Sequence, residues 1–186
     1  FAAAEPTFQL LIEKARTIED KITLYNDKAT LATGYYTDEE AVSAGLAALR
    51  LLGLIIPMRP SKSHLIKELL HTQWLLRGKT ADSLLDLPPM TDPWAFQTIA
   101  TLANLIPPAT VFDPGLFVCI VLQMTKISLR YGNSPYSAFA FASYGFICAA
   151  QLNAFNQAAG FQRTALMLAT QYGDNINYMA YYMIAN

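Results

Sequence analysis

Hydrophobic residues recur along this chain at helical spacing, and polar capping residues mark where the helices begin. In "TDEEAVSAGLAALRLLG", Thr37 precedes Glu40 by three residues, a reciprocal capping arrangement. Val42, Leu46, Leu49 and Leu52 then repeat at helical intervals until Gly53. "PSKSHLIKELLHTQWLLRG" follows the same grammar, with Ser61 as N-cap, an apolar stripe of Leu65, Leu69 and Leu76, and Gly78 as the stop.

The second half is more regular. Asp92-Pro93, Asp113-Pro114 and Ser134-Pro135 follow one another at intervals of 21 residues. Asp or Ser accepts the orphan amide hydrogen bonds of a first turn, and proline at the next position has no amide hydrogen to lose. Each pair therefore predicts a helix start. Gly132, Asn133, Ser134 and Pro135 read as stop, turn, cap and opening, a corner between two helices.

Helices are predicted at roughly 6–15, 18–33, 38–52, 61–77, 80–86, 93–106, 114–131, 135–151 and 156–172 and from 175 to the end, nine or ten in all. No segment alternates with period two long enough to predict a strand. Short connections make neighbouring helices antiparallel. The expected fold is all-α, one helical-repeat domain over 1–186 built as an array of helical hairpins.

Small residues at fixed offsets sharpen that expectation. With Ala41 and Ala48 on the small positions of a tetratricopeptide second helix, Tyr25 falls on the aromatic position of the first helix and Ala29 on its small position. Ala158 and Ala165 allow a second, poorer placement, with Phe146 where a small residue is usual. The pair period between them is 42 residues, twice the 21-residue interval and longer than a regular unit. An irregular tetratricopeptide-like α-α superhelix is the prediction.

Charge divides the chain. Residues 1–87 hold 21 charged side chains and residues 88–186 hold six. The charge-poor half must bury its helices on several sides. A net charge of −1 gives no basic face for nucleic acid and no polybasic anchor. The uncharged run from Tyr131 to Gln162 raises the question of a membrane span, but Ser134-Pro135, Gln151, Asn153, Asn156 and Gln157 interrupt it. No span is expected. Cys119 and Cys148 sit in apolar sequence without close pairing and read as buried free thiols in a reducing cytosol.

The candidate chemistry dissolves on inspection. "RGKT", Arg77 to Thr80, resembles the tail of a phosphate loop, but Gln73 stands where the loop needs glycine and helix precedes it. His64, Glu68 and His71 share a helical stripe with metal-ligand types, and a solvated helix face explains them as well. Asp38, Glu39 and Glu40 suit the positive end of a helix. No catalytic residue, cofactor or metal is expected. The aromatic residues Tyr131, Tyr136, Tyr144, Tyr178 and Tyr181 are the candidates for a groove that binds a peptide or small ligand.

Four strings, "LLGLIIP", "LLDLPPMTDP", "LIPPATVFDPGLF" and "ISLRYGNSPYSAFAFASYG", resemble a helical region of very large bacterial signalling kinases. The resemblance spans roughly Thr17 to Tyr172. Proteins of that family join a serine/threonine-kinase-like domain, a P-loop ATPase, tetratricopeptide-like helices, a GAF sensor and a histidine kinase or cyclase output. The resemblance implies a fragment of a longer cytoplasmic chain: a non-catalytic scaffold linking the ATPase and sensor modules and contacting other domains or a protein partner. A ligand sensor using the aromatic groove is the alternative reading, and a homodimer through the charge-poor half is a third.

Overall fold

A computed structural model of the chain describes residues 4–35 and 37–173. These are overwhelmingly helical and contain no strand. Eight α-helices follow in order: α1 Ala4–Lys14, α2 Ile18–Tyr35, α3 Asp38–Leu51, α4 Lys62–Leu76, α5 Pro93–Phe112, α6 Pro114–Tyr131, α7 Pro135–Leu152 and α8 Phe155–Tyr172. One 3-10 helix, Asp82–Leu84, lies between α4 and α5. The helix expected from 175 lies outside the described residues. No described helix is long and apolar enough to cross a membrane.

The predicted caps form these ends. Thr37 Oγ1 accepts from the Glu40 amide while Glu40 Oε2 accepts from the Thr37 amide at 2.9 Å. Ser61 Oγ accepts from the His64 amide, Asp92 Oδ1 from the Ala95 amide at 2.7 Å, and Asp113 Oδ1 from the Leu116 amide at 2.8 Å. Ser134 is the N-cap of α7 in a capping box with Ser137, whose Oγ accepts from the Ser134 amide at 2.9 Å.

Two boundaries depart from expectation. α5 is expected to end at about 106, yet the helix continues through Pro107 and Pro108 to Phe112. Prolines at 107 and 108 remove the bonds to the carbonyls of Ala103 and Asn104, residues that are not buried, so water can take their place. Leu105, Ile106 and Ala109 are buried around the interruption and hold the rod together. The helix expected over 80–86 shrinks to the 3-10 turn. Thr80 and Ser83 cap each other there, and the residues before Pro88-Pro89 are biased away from helix.

The described residues form two compact units, one within 4–60 together with 100–117, the other from 61–99 and 118–173. In the first, α2 and α3 make a helical hairpin. Ala29, Ala41 and Ala48, the proposed small positions, are all buried, as are Ile22, Val42, Leu46 and Leu49. A Cβ on Gly45 of α3 would stand 2.3 Å from Leu105 Cδ2, so α3 and the end of α5 approach closely. Asn26 Nδ2 donates to Thr101 Oγ1 at 3.1 Å across α2 and α5.

In the second unit α7 and α8 form another hairpin. Every residue from Ser137 to Gly145 is buried, as are Ile147 and Cys148, so α7 is covered on nearly all sides. Gly145 admits the contact: its Cβ would stand 3.1 Å from Phe161 Cβ and 3.2 Å from the Ala158 carbonyl. The charge-free sequence of this helix thus serves packing in protein.

Candidate functional site

The corner at Gly132 organises the second unit. Gly132 has φ +100°, and a Cβ there would fall 2.0 Å from the Pro88 carbonyl oxygen. Only glycine meets both conditions. The Asn133 amide donates to Pro88 O and the Met90 amide to Asn133 O, each at 2.8 Å, an isolated parallel bridge. Asn133 Nδ2 donates to Leu84 O at 2.7 Å, and the Tyr172 hydroxyl donates to Asn133 O at 3.0 Å. One buried asparagine therefore ties the 3-10 turn, the proline loop and the end of α8 to the α6–α7 corner.

Within this unit a cleft of ≈ 740 Å³ lies between the C-terminal half of α4, the Arg77–Ala81 loop and the start of α8, with Tyr144 of α7 in its wall. Leu70, Trp74 and Phe161 supply its apolar surface, Arg77 and Lys79 its charge, and Gln73, Asn156 and Gln157 its neutral polar groups. No carboxylate among the described residues lines it. The loop is held by Thr164 Oγ1, which donates to Ala81 O at 2.8 Å, and by Leu84, which is fully buried.

The expected groove residues separate. Tyr144 lines the cleft, but it is 1% exposed and packs edge-on against Phe161 with ring centroids 4.9 Å apart. Burial raises its hydroxyl pKa, with the neighbouring Cys148 adding to the rise. Tyr136 sits half-buried and edge-on to Phe96 at 5.8 Å, and burial raises its pKa also. Tyr131 is exposed at the end of α6. Neither Tyr131 nor Tyr136 lines the cleft. Tyr178 and Tyr181 lie outside the described residues.

Trp74, 67% exposed, is the aromatic that the cleft presents, and the expected groove omits it. The signal was present in the sequence. Ile66, Leu70 and Trp74 form a second apolar stripe on α4 beside the one through Leu65, Leu69 and Leu76.

The cluster with reactive residue types lies elsewhere, between α4 and α6. Glu68 Oε2 accepts from Lys126 Nζ and, at 3.0 Å, from Gln123 Nε2. His64 Nε2 lies 4.0 Å from Glu68 Oε1 and 3.7 Å from Cys119 Sγ. Burial works against the charged form of Glu68, but Lys126, with His64 and His71 adding to it, holds the carboxyl below its ordinary value. The Cys119 thiol is pushed up to about 12, first by burial and then by Glu68, with Lys126 opposing. That thiol stays protonated and unreactive at neutral pH. Thiol and carboxylate also address the same nitrogen of His64, whereas a nucleophilic relay needs one on each. Burial likewise lifts Cys148 to about 11, with a hydrogen bond from Tyr144 opposing.

His71, the third member of the expected stripe, stands beside Trp74 with ring centroids 6.3 Å apart. Among the described residues no group of three or more His, Cys, Asp and Glu side chains is placed to hold a metal ion. No family model matches the chain, and neither a curated protein nor a solved structure matches it.

Proposed function

We propose that this chain is a non-catalytic helical-repeat scaffold, an irregular tetratricopeptide-like superhelix within a multidomain cytoplasmic signalling kinase. Its role is to link the ATPase and sensor or histidine-kinase modules and to offer a surface to other domains or a protein partner. The observation that carries this reading is the pairing of helices in hairpins, with Ala29, Ala41 and Ala48 buried in one and Gly145 close against Ala158 in the other. Close-packed hairpins are the unit from which helical solenoids are stacked.

The test is direct. The purified chain with magnesium and ATP is expected to show no hydrolysis and no phosphoryl transfer above buffer, and to be retained by immobilised ATPase or sensor modules of its parent. Turnover above buffer contradicts the scaffold.

The cleft favours a second reading, a sensor for a small molecule or peptide, because Trp74 and Phe161 stand in a concave polar setting. A thermal-shift screen against metabolites separates the two. Stabilisation lost on Trp74→Ala favours sensing, and a flat screen favours the scaffold.

A further inference from the structure

We propose that the outer face of α4, with the cleft at its end, docks an acidic amphipathic helix of a protein partner. The proposal deepens the interaction role of the scaffold reading and rests on it.

At about 100° per residue, Lys62, Ile66, Leu70, Gln73, Trp74 and Arg77 fall within an arc of about 120° on α4. All six are exposed, and Ile66, Leu70 and Trp74 are 57, 59 and 67% exposed. The face therefore reads cation, three large apolar groups, cation. Single exposed apolar residues are ordinary, but three in register along one helix form a continuous strip, and the strip runs into the cleft through Leu70 and Trp74. The only fully buried residue of α4 is Thr72, so the helix presents most of its surface outward.

Charge selects the occupant. Residues 61–81 carry Lys62, Lys67, Arg77 and Lys79, all exposed, and a single acid, Glu68. Glu68 lies about 160° around the helix from Ile66 and is held by Lys126. Asp82 and Asp86, next in the chain, do not line the cleft. At its far wall α8 begins at Ala154 without a side-chain cap, and Asn156 and Gln157 of its first turn line the cleft, adding the positive end of a helix. A partner helix with Leu or Phe at i, i+3, i+4 and i+7 and carboxylates on its flanks meets both the strip and its cationic ends. Four cations on a chain of net charge −1 fall short of the long basic track a nucleic acid needs.

The test uses the 186-residue chain and a fluorescent synthetic peptide of about five helical turns, with Leu at those positions and Glu elsewhere. A control peptide replaces every Glu by Lys. Anisotropy should show saturable, salt-sensitive binding of the Glu peptide and none of the Lys peptide. Arg77→Glu with Lys79→Glu should weaken it about tenfold or more and shift preference toward the Lys peptide. Trp74→Ala should weaken it about tenfold, and Ile55→Asp, an exposed apolar site in the other unit, should leave it unchanged.

Absent binding, equal binding of both peptides, or indifference to charge reversal overturns the proposal. So does binding to phosphatidylserine-containing vesicles but not to the peptide, or a concentration-dependent dimer abolished by Leu70→Asp, since lipid or a second copy would then own the face. The scaffold reading fails separately, on nucleotide turnover.

Discussion

α4 and α7 are helices of 15 and 18 residues in the same unit, and they spend their side chains in opposite ways. α7 carries no charge and is buried continuously from Ser137 to Gly145. α4 carries charge, buries one residue fully, and leaves Ile66, Leu70 and Trp74 to solvent. Freedom from charge in α7 reflects packing on nearly all sides, with Phe146 its one large exposed apolar side chain. The apolar residues on the outer face of α4 have no such explanation within the unit. Hydrophobicity alone therefore distinguishes the two helices less well than the arrangement of charge around them.

Substitutions on each helix sharpen that contrast. Phe141, fully buried on α7, should give the largest effect: Phe141→Ala should lower unfolding stability by about 3–5 kcal/mol in a denaturant titration. Gly132→Ala, at the seat of α7, should cost about 3 kcal/mol, because a Cβ meets the Pro88 carbonyl and the backbone stands at positive φ. Lys126→Met should cost about 2 kcal/mol by leaving Glu68 uncompensated, and adding Glu68→Gln should restore most of it. On the outer face of α4, Leu70→Ser should change stability by no more than about 0.5 kcal/mol.

The pH dependence has a definite sign. Glu68 is held below its ordinary value of 4.5 in the folded chain, so its contribution is complete above that value and is lost as pH falls through the lowered pKa. Cys119 runs the other way. Its folded pKa is raised from 9.0 to about 12, so its contribution is complete below pH 9.0 and is lost as pH rises toward 12. A thiol reagent at pH 8 should therefore label Cys119 only as the chain unfolds, whereas a fast folded-state reaction would contradict its burial.

Local chemistry made most of the helices legible. Asp92-Pro93 and Asp113-Pro114 announce α5 and α6 because a cap and its proline act within one turn. The end of α5 was less legible, because buried Leu105, Ile106 and Ala109 carry the helix past Pro107 and Pro108. Asn133 was legible as a turn residue, but its bonds reach Leu84, Pro88, Met90 and Tyr172, partners that no local spacing specifies. The candidate site was the least legible. Tyr144 and Trp74 both read as aromatic, and tertiary packing alone decides that one is covered and the other presented.

The unfolding free energy of the triple variant Ile66→Ser, Leu70→Ser, Trp74→Ser tests most directly whether the face of α4 is surface kept for a partner. A loss below about 2 kcal/mol in total, with helical content intact, is the predicted result. A loss of about 5 kcal/mol or more would mean that these three side chains belong to the core of the chain, and the contrast with α7 would fall.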